Sequence, residues 1–360
     1  MEQTEEKVIL LNQLSAPAFF VSDGRVTHVN TGAKSCLIAP GTSVSGLLAT
    51  GQTEYSEFRQ GCLYLSLDLH GSNVSASVTR VGEADLFVLE QKDDIAELQA
   101  MALAAQQLRA PLSNVMTVVD HLFPLACLDD DPSVQTHIAR INRGLFQMLR
   151  IISNMSDVYR YSHASGCHLE VRDVRGLIEE ILEKNGELMG KADATLHYTL
   201  PPEAVFSLVD SEKVERAVNN ILSNALKFCR KGSAIDARLT RRGNMLYLTV
   251  QNENAAISEG TQVNVYDRFR REPGLEDNRF GIGLGMVLIR SAAAAHGGTV
   301  LMEQNAGGTR ITMTMAIRQA SGSQVCSPIF RMDYAGERDH SLIELSESLP
   351  LALYSRENIN

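Results

Sequence analysis

The stretch GIGLGMVLIRSAAAAHGG, from Gly281 to Gly298, decides how the rest of this chain is interpreted. It places Gly281, Gly283 and Gly285 at alternate positions, directly before an alanine-rich run with helical spacing of its apolar residues. Glycines let backbone N–H groups approach an anion closely, and the positive end of the helix that follows attracts negative charge. The stretch therefore predicts a glycine-rich turn, a helix and a phosphate site, with the closing glycine pair as the helix end.

The stretch resembles the second glycine box of the ATP-binding domain of histidine kinases. The segment NNILSNALKF, residues 219–228, resembles the asparagine box of the same family and precedes the glycine box, as it does there. Its residues Asn220, Asn224 and Lys227 share one helix face, opposite a core face that follows a predicted N-cap at Asp210. Two asparagine oxygens one turn apart can bind Mg²⁺ or its waters between phosphate oxygens, with a lysine to balance charge. Solvated polar residues are the common alternative, which the ordered pair of boxes argues against.

The first glycine box of the family, D-x-G-x-G, is altered in this chain. The matching residues are Asn252, Glu253, Asn254, Ala255 and Ala256. The resemblance implies that Asn252 accepts a hydrogen bond from the adenine amino group, without the charge of an aspartate. Asn254 and Ala256 replace the two glycines, so their side chains hinder a close approach of the backbone to a nucleotide.

The segment VYDRFRR, residues 265–271, resembles the phenylalanine box of the family. Arg268, Phe269 and Arg271 match that box. The resemblance implies that both arginines face phosphates, whose geometry a guanidinium fits. A surface role is the alternative for each arginine taken singly.

The segment AAQQLRAPL, residues 104–112, resembles the dimerisation and phosphoacceptor box, H-E-x-R-x-P-L. Gln106 stands where the family has its phosphorylated histidine, and Gln107 stands where it has the acidic neighbour. A primary amide is neither basic nor nucleophilic at neutral pH. We therefore predict no catalytic residue in this box and no self-phosphorylation. His121 and His137, several helical turns away, are the less favoured alternative acceptors.

Two apolar seams surround and follow this box. The first passes through Leu98, Met101, Ala105, Leu108, Leu112, Val115, Val119 and Leu122, and the second through Val134, Ile138, Ile141, Leu145, Met148, Ile152, Met155 and Tyr159. Alternating steps of three and four predict two long helices, the second starting at Asp131-Pro132. Because one copy of such a hairpin cannot bury its apolar stripe, we expect a homodimer through a four-helix bundle.

Residues 6–91 predict a small mixed α/β unit. AFFV and RVTHVN flank Asp23-Gly24, which is a hairpin signal, and CLYLSLDLHG, NVSASVTRV and ADLFVLEQ alternate like antiparallel strands. The order resembles a PAS sensor domain. No cysteine or histidine stands in a recognisable flavin or haem motif, so we expect His28 and Cys36 to be structural residues and not ligands.

Composition limits the functional classes. The 360 residues carry a net charge of −10, which argues against a protein that coats nucleic acid. No apolar run is long enough to span a bilayer and the first residues lack the basic start of a signal peptide, so we expect no membrane insertion and a cytoplasmic location. Six scattered cysteines form neither a disulfide framework nor a zinc site.

Together these patterns predict an α+β multidomain chain. The expected parts are a PAS-like sensor (1–91), a dimerisation hairpin of the phosphoacceptor type (92–165), an α/β sandwich ATP-binding domain (166–318) and a tail (319–360). The tail matches no family motif, and its apolar residues suggest that it docks on the ATP-binding domain or on a partner.

Three functions remain open at this point. The first is a histidine-kinase-like signalling protein with ATP and Mg²⁺ as cofactors, which has lost its phosphoacceptor and regulates a partner kinase or response regulator. The second is an active kinase that phosphorylates another chain. The third is a dimeric scaffold without nucleotide. Gln106 and Gln107 count against self-phosphorylation, and the altered first glycine box keeps the scaffold open.

Overall fold

The computed structural model describes residues 9–14, 16–90, 104–105, 107–108, 112–117, 119, 132–162, 168–230, 232–253, 284–305, 308–319 and 339–355. The strands are β1 Ala18–Ser22, β2 Arg25–Val29, β3 Cys62–Leu69, β4 Ser72–Val81, β5 Ala84–Leu89, β6 Glu170–Asp173, β7 Thr195–Thr199, β8 Phe206–Val209, β9 Ala234–Arg242, β10 Met245–Asn252, β11 Val300–Asn305 and β12 Gly308–Ala316. The helices are α1 Thr31–Ser35, α2 Gln52–Glu57, α3 Pro132–Ser162, α4 Val174–Gly190, α5 Ser211–Phe228, α6 Leu284–Ala295 and α7 His340–Glu344, with 3-10 turns at Val44–Gly46 and Leu351–Tyr354.

The N-terminal half of the sheet has the order β2-β1-β5-β4-β3, with α1 and α2 between β2 and β3 in the chain. Strands β1 and β2 form the predicted hairpin, which is confirmed. Its turn residues Asp23 and Gly24 have φ values of 51° and 69°, the left-handed conformation that a tight hairpin turn requires. This half has its own buried apolar core, in which the ring of Phe19 stacks on that of Phe87.

Strand β3 pairs with β11, so that the two halves of the chain share one sheet. The full order is β2-β1-β5-β4-β3-β11-β12-β10-β9-β7, and all its pairings are antiparallel except β7 with β9. Leu63 lies opposite Leu301 at the junction. A Cβ on Gly61 would lie 2.2 Å from the carbonyl oxygen of Met302. Glycine therefore permits the close approach of the two backbones at this junction.

Helices α4, α5 and α6 cover one face of the C-terminal strands. Alternate residues of β10, Leu246, Leu248 and Val250, are buried, as expected for a sheet with a single covered face. The predicted core face of α5 is confirmed: Val214, Ala217, Val218, Ile221, Leu222 and Ala225 are buried, although Phe228 is only half-buried. The turn between β9 and β10 lies at Gly243-Asn244, as predicted.

Helix α3 begins at Pro132, the predicted first-turn proline. Its apolar seam divides into two lines. Ile138, Leu145 and Ile152 are buried within the chain, whereas Ile141 and Met148 are each 46% exposed. The expectation that one copy leaves the whole stripe uncovered is therefore wrong for half of the seam, because other parts of the same chain pack on it.

One of those parts is residues 339–355, the C-terminal segment. It contains α7 and a 3-10 turn, and it packs on α3, α4 and α5. Asp339 caps α7 by accepting hydrogen bonds from the amides of Ser341 and Leu342. Its buried apolar residues are Leu342, Ile343, Leu345, Leu349, Leu353 and Tyr354. The sequence left open whether the tail docks on the ATP-binding domain or on a partner. The described part of the tail packs on helices of its own chain.

None of the helices in the described ranges is both long and apolar enough to cross a lipid bilayer.

Candidate functional site

The start of α5 is fixed by His296, a residue that no sequence motif predicted as part of the site. The Asp210 side chain caps α5 by accepting from the amide of Lys213, and the Asp210 amide donates to Nε2 of His296 at 2.9 Å. Nδ1 of His296 lies 2.7 Å from the carbonyl oxygen of Ala292. Since Nε2 accepts, Nδ1 carries the proton and the ring is neutral. Burial, the largest influence, lowers the pKa of His296. The histidine thus joins the end of α6 to the start of α5.

Asn220 lies on the face of α5 that meets the start of α6. Its side chain is fully buried, and its Nδ2 donates to the carbonyl oxygen of Arg216 at 2.9 Å. Its Oδ1 is buried and has no hydrogen-bond donor in the described part of the chain. A Cβ on Gly285 would lie 2.6 Å from this oxygen. The third glycine of the predicted box is therefore needed for space beside Asn220.

These features fit a bound cation or a hydrogen-bond donor from a ligand. A buried acceptor without a donor costs free energy, commonly about 1–3 kcal/mol. Asn220 supplies such an oxygen, and Asn224, one turn further along α5, is half-buried at the edge of the same face. Two amide oxygens are ligands that Mg²⁺ accepts in combination with phosphate and water. The described residues thus fit Mg²⁺ together with a phosphate group.

Lys227, the third residue of the predicted stripe, makes an ion pair. Its Nζ lies 2.8 Å from Oε2 of Glu347, in the C-terminal segment. Only 10% of the Lys227 side chain is exposed. The sequence predicted that the Lys227 ammonium balances the charge of phosphate groups. In the structure it instead pairs with the Glu347 carboxylate of the same chain.

The polar face of α5 continues into a buried charge network. Arg216 donates to Asn154 on α3 at 2.7 Å and forms ion pairs with Asp157 (2.8 Å) and Glu344 (3.3 Å). Arg150 on α3 lies 3.2 Å from an oxygen of Glu344, and the Glu344 side chain is fully buried. Buried charges of opposite sign in such contacts offset part of the cost of leaving water. The network joins α3, α5 and the C-terminal segment.

Ser223 and Arg150 extend this network towards Lys227. The Ser223 hydroxyl accepts from Arg150 at 3.1 Å and donates to the carbonyl oxygen of Glu344 at 3.0 Å. Arg150 also lies 3.2 Å from Oε1 of Glu347. Burial raises the pKa of Glu347, but the charge of Arg150 and the Lys227 hydrogen bond outweigh burial, so the pKa lies below its ordinary value. Glu347 is therefore ionised at neutral pH.

Asn252 ends strand β10 and is buried. It pairs with Ile235 on one side and Thr309 on the other. A Cβ on Gly308, whose φ is +134°, would lie 1.9 Å from the carbonyl oxygen of Asn252. Asn252 thus lies at a tightly packed strand end, directly before Glu253 and residues 254–283.

Several predicted site residues lie outside the described residues: Gln106, Arg268, Arg271, Gly281 and Gly283, together with Asn254, Ala256 and His121. Gln107 is described and is exposed on a helical stretch. The structure places Asn220, Asn224 and Lys227 along one helix, with Gly285 beside Asn220. No sequence pattern predicted Arg150, Arg216, Glu344 and Glu347 as part of this region, since each is an ordinary charged residue until its distant partner is known.

Comparison with known proteins finds a matching family profile and several similar chains. The family profile described as "Histidine kinase-, DNA gyrase B-, and HSP90-like ATPase" matches residues 209–319. The chain is similar to the sensor protein KdpD of Clostridium acetobutylicum, with 24% identity over 54% of this chain and 22% of that protein. It is also similar to the sensor histidine kinases RppB of Synechocystis (23% identity, 61% of this chain, 49% of that protein) and WalK of Bacillus subtilis (23%, 64% and 38%). The matches thus span less than half of the length of these relatives.

Solved structures that resemble the chain include full-length ShkA in complex with AMPPNP, with a TM-score of 0.48 and 15% identity over 62% of this chain and 47% of that chain. Another is the histidine kinase ThkA in complex with the response regulator TrrA, with a TM-score of 0.39 and 12% identity over 86% of this chain and 97% of that chain.

Proposed function

We propose that this chain, which is similar to two-component sensor histidine kinases, binds Mg-ATP at α5 but does not phosphorylate itself. The first half of the proposal is carried by the buried, donor-free oxygen of Asn220 beside Gly285. The second half depends on Gln106 and Gln107, which offer amides where phosphoryl transfer needs an imidazole and a carboxylate.

Asn220 and Asn224 would hold the metal, and Lys227 would contact phosphate oxygens once Glu347 is displaced. Mg²⁺ supplies positive charge that neutralises adjacent phosphates. Asn252 would accept from the adenine amino group, and Arg268 and Arg271 would face the phosphates together with the amides of Gly281 and Gly283.

We further propose that the N-terminal unit is a PAS-like sensor and that α3 belongs to a dimerisation hairpin. The strand order β2-β1-β5-β4-β3, with helices between β2 and β3, supports the sensor assignment. The exposed line on α3, Ile141 and Met148, supports a homodimer, as do the exposed Leu108 and Val115 on the preceding helical stretch. A partner copy that covers such a line gains apolar burial.

The role that follows is regulation of another protein. A chain that binds nucleotide and dimerises, but has no phosphoacceptor, can pair with a working histidine kinase or occupy a response regulator. Its nucleotide state would then set the availability of that partner.

Nucleotide binding is tested by thermal and chemical unfolding of the full chain with and without Mg-ATP. Ligand at 100 times its dissociation constant adds about 2.7 kcal/mol to the free energy of unfolding. Asn220→Ala should abolish this gain, whereas Asn244→Ala, in the exposed β9–β10 turn, should retain it. Equal gains in both variants would remove Asn220 from the site.

The missing acceptor is tested with labelled ATP. We expect no acid-labile phosphate on the wild-type chain. The double variant Gln106→His, Gln107→Glu should become labelled. Label on the wild-type chain itself would overturn the second half of the proposal.

A scaffold without nucleotide is the second candidate, and one observation favours it. The Lys227 ammonium is held by Glu347 at 2.8 Å, so the site is partly filled by its own chain. The two candidates separate in the same titration, because a scaffold gains no stability from millimolar Mg-ATP.

A further inference from the structure

The C-terminal segment lies along the polar face of α5, beside the residues assigned to the nucleotide. Glu344 and Glu347 point towards Arg150, Arg216 and Lys227, at distances between 2.8 and 3.3 Å. The segment carries three carboxylates and neither lysine nor arginine. The segment is therefore negatively charged, as the phosphates of a nucleotide are, and it packs against positively charged side chains.

The contact is specific as well as electrostatic. On α3, Arg143 donates to the carbonyl oxygens of Ser346 (3.0 Å) and Glu347 (2.8 Å). Tyr354 packs edge-on against Phe146, with ring centroids 5.5 Å apart. Arg143 thus fixes the backbone at the point where Glu347 projects towards Lys227.

We propose that the C-terminal segment is an intramolecular ligand of the nucleotide site, in which Glu347 competes with nucleotide phosphate for Lys227. The inference rests on the proposed function, since it assigns Lys227 to phosphate. It adds a regulator: the segment keeps nucleotide affinity low while docked and releases the site when displaced.

The chemistry supports competition at one atom. A lysine ammonium is a compact charge that can pair with either a carboxylate or a phosphate oxygen. The Nζ of Lys227 is already at hydrogen-bond distance from Glu347, and Arg150 shares the same carboxylate. A phosphate oxygen that takes the position of Oε2 at this nitrogen displaces the Glu347 carboxylate. Glu347 is also the more accessible acid, with 28% of its side chain exposed against 0% for Glu344.

The expected size of the effect follows from population arithmetic. When the competent state is a minor fraction, the apparent dissociation constant is the intrinsic one divided by that fraction. Weakening the docked state raises the competent fraction and lowers the apparent constant. Couplings of this kind are commonly about 5–150-fold.

The experiment compares full-length chains that differ at the segment. Glu347→Gln removes the competing charge, and Arg143→Ala loosens the segment without touching any residue assigned to nucleotide. Arg140→Ala, an exposed arginine on the same helix, is the matched control. Mg-ATP and Mg-AMPPNP affinity is measured by calorimetry, and hydrogen exchange of amides 340–354 is measured with and without nucleotide.

We expect Glu347→Gln and Arg143→Ala to bind Mg-ATP at least about fivefold more tightly than wild type, with Arg140→Ala unchanged. Saturating nucleotide should also speed hydrogen exchange in the segment of the wild-type chain. Equal affinity in all four chains, with exchange in the segment unaffected by bound nucleotide, would overturn the competition and leave ATP binding intact. Absence of binding in every chain, while exchange shows the segment released in Arg143→Ala, would overturn the proposed function and the competition with it.

Discussion

Helices α3 and α5 share the same spacing of apolar residues but differ in what covers their second face. On α3, Ile141 and Met148 remain about half exposed. On α5, the second face is buried although it is polar, and Arg216 is only 1% exposed. The spacing predicts one buried face in both helices. What covers the other face is decided by segments that are distant in sequence, because charges can be buried only where opposite charges meet them.

The strongest test of this difference is removal of the most buried charge on α5. We expect Arg216→Ala to lower the free energy of unfolding by about 3–5 kcal/mol, since Asp157 and Glu344 then lose a shared cation in a buried site. Arg238→Ala, on an exposed position of β9, should change it by less than about 0.5 kcal/mol. Chemical denaturation measures both, and similar values for the two variants would contradict the importance of the network.

The contact of α5 with α6 comes next. Gly285→Ala places a Cβ 2.6 Å from Oδ1 of Asn220, and such overpacking costs about 1–3 kcal/mol. Gly186→Ala in α4 is the matched change, because its Cβ would have no neighbour closer than 3.8 Å. That variant should gain about 0.4–1 kcal/mol. Urea unfolding of both chains checks the opposite signs, and a gain for Gly285→Ala would refute the close contact.

A smaller effect is expected from acid at the segment that covers α5. The pKa of Glu347 is lowered in the fold, so its contribution is fully present above the ordinary value of 4.5 and is lost as the pH falls through the folded value. The change is about 1 kcal/mol or less, as for other partly exposed ion pairs. The protection of the segment amides, corrected for the intrinsic exchange rate at each pH, should therefore decrease in wild type when the pH is lowered from 6 through the folded pKa of Glu347. Glu347→Gln should show a flatter profile, and identical profiles would exclude Glu347 as the source.

Substitutions in the exposed line of α3, Ile141 and Met148, should have the smallest effect on the free energy of unfolding of one chain. Met148→Glu is expected to change the free energy of unfolding of the monomer by less than about 0.5 kcal/mol, because its side chain is already half exposed. Light scattering after size exclusion should nevertheless show loss of the proposed homodimer in Met148→Glu, whereas Met148→Leu should retain it. A dimer that persists in Met148→Glu would place the interface elsewhere.

Local elements could be predicted from the sequence where a short-range rule decides them. Asp210 and the core face of α5, Pro132 at the start of α3, and the Asp23-Gly24 turn are such cases. Each depends on contacts within a few residues, and those are visible in the order of the chain.

The candidate site could be predicted only in part. Asn220 and Gly285 lie in two boxes that the sequence identifies, but the environment of Lys227 does not follow from them. Its partner Glu347 lies 120 residues further along the chain. His296 was present in the quoted stretch, yet its bond to the Asp210 amide requires knowing that α6 ends beside α5.

The junction of β3 with β11 has a practical consequence for dissecting the molecule. Each of these strands would be the outer strand of its own half-sheet, with unpaired N–H and C=O groups along VLMEQN of β11. An open outer strand is a template for self-association. A fragment that contains β11 but lacks β3 would therefore expose an unpaired strand edge and should aggregate. A soluble peptide with the β3 sequence CLYLSL, residues 62–67, should pair with this edge and suppress the aggregation.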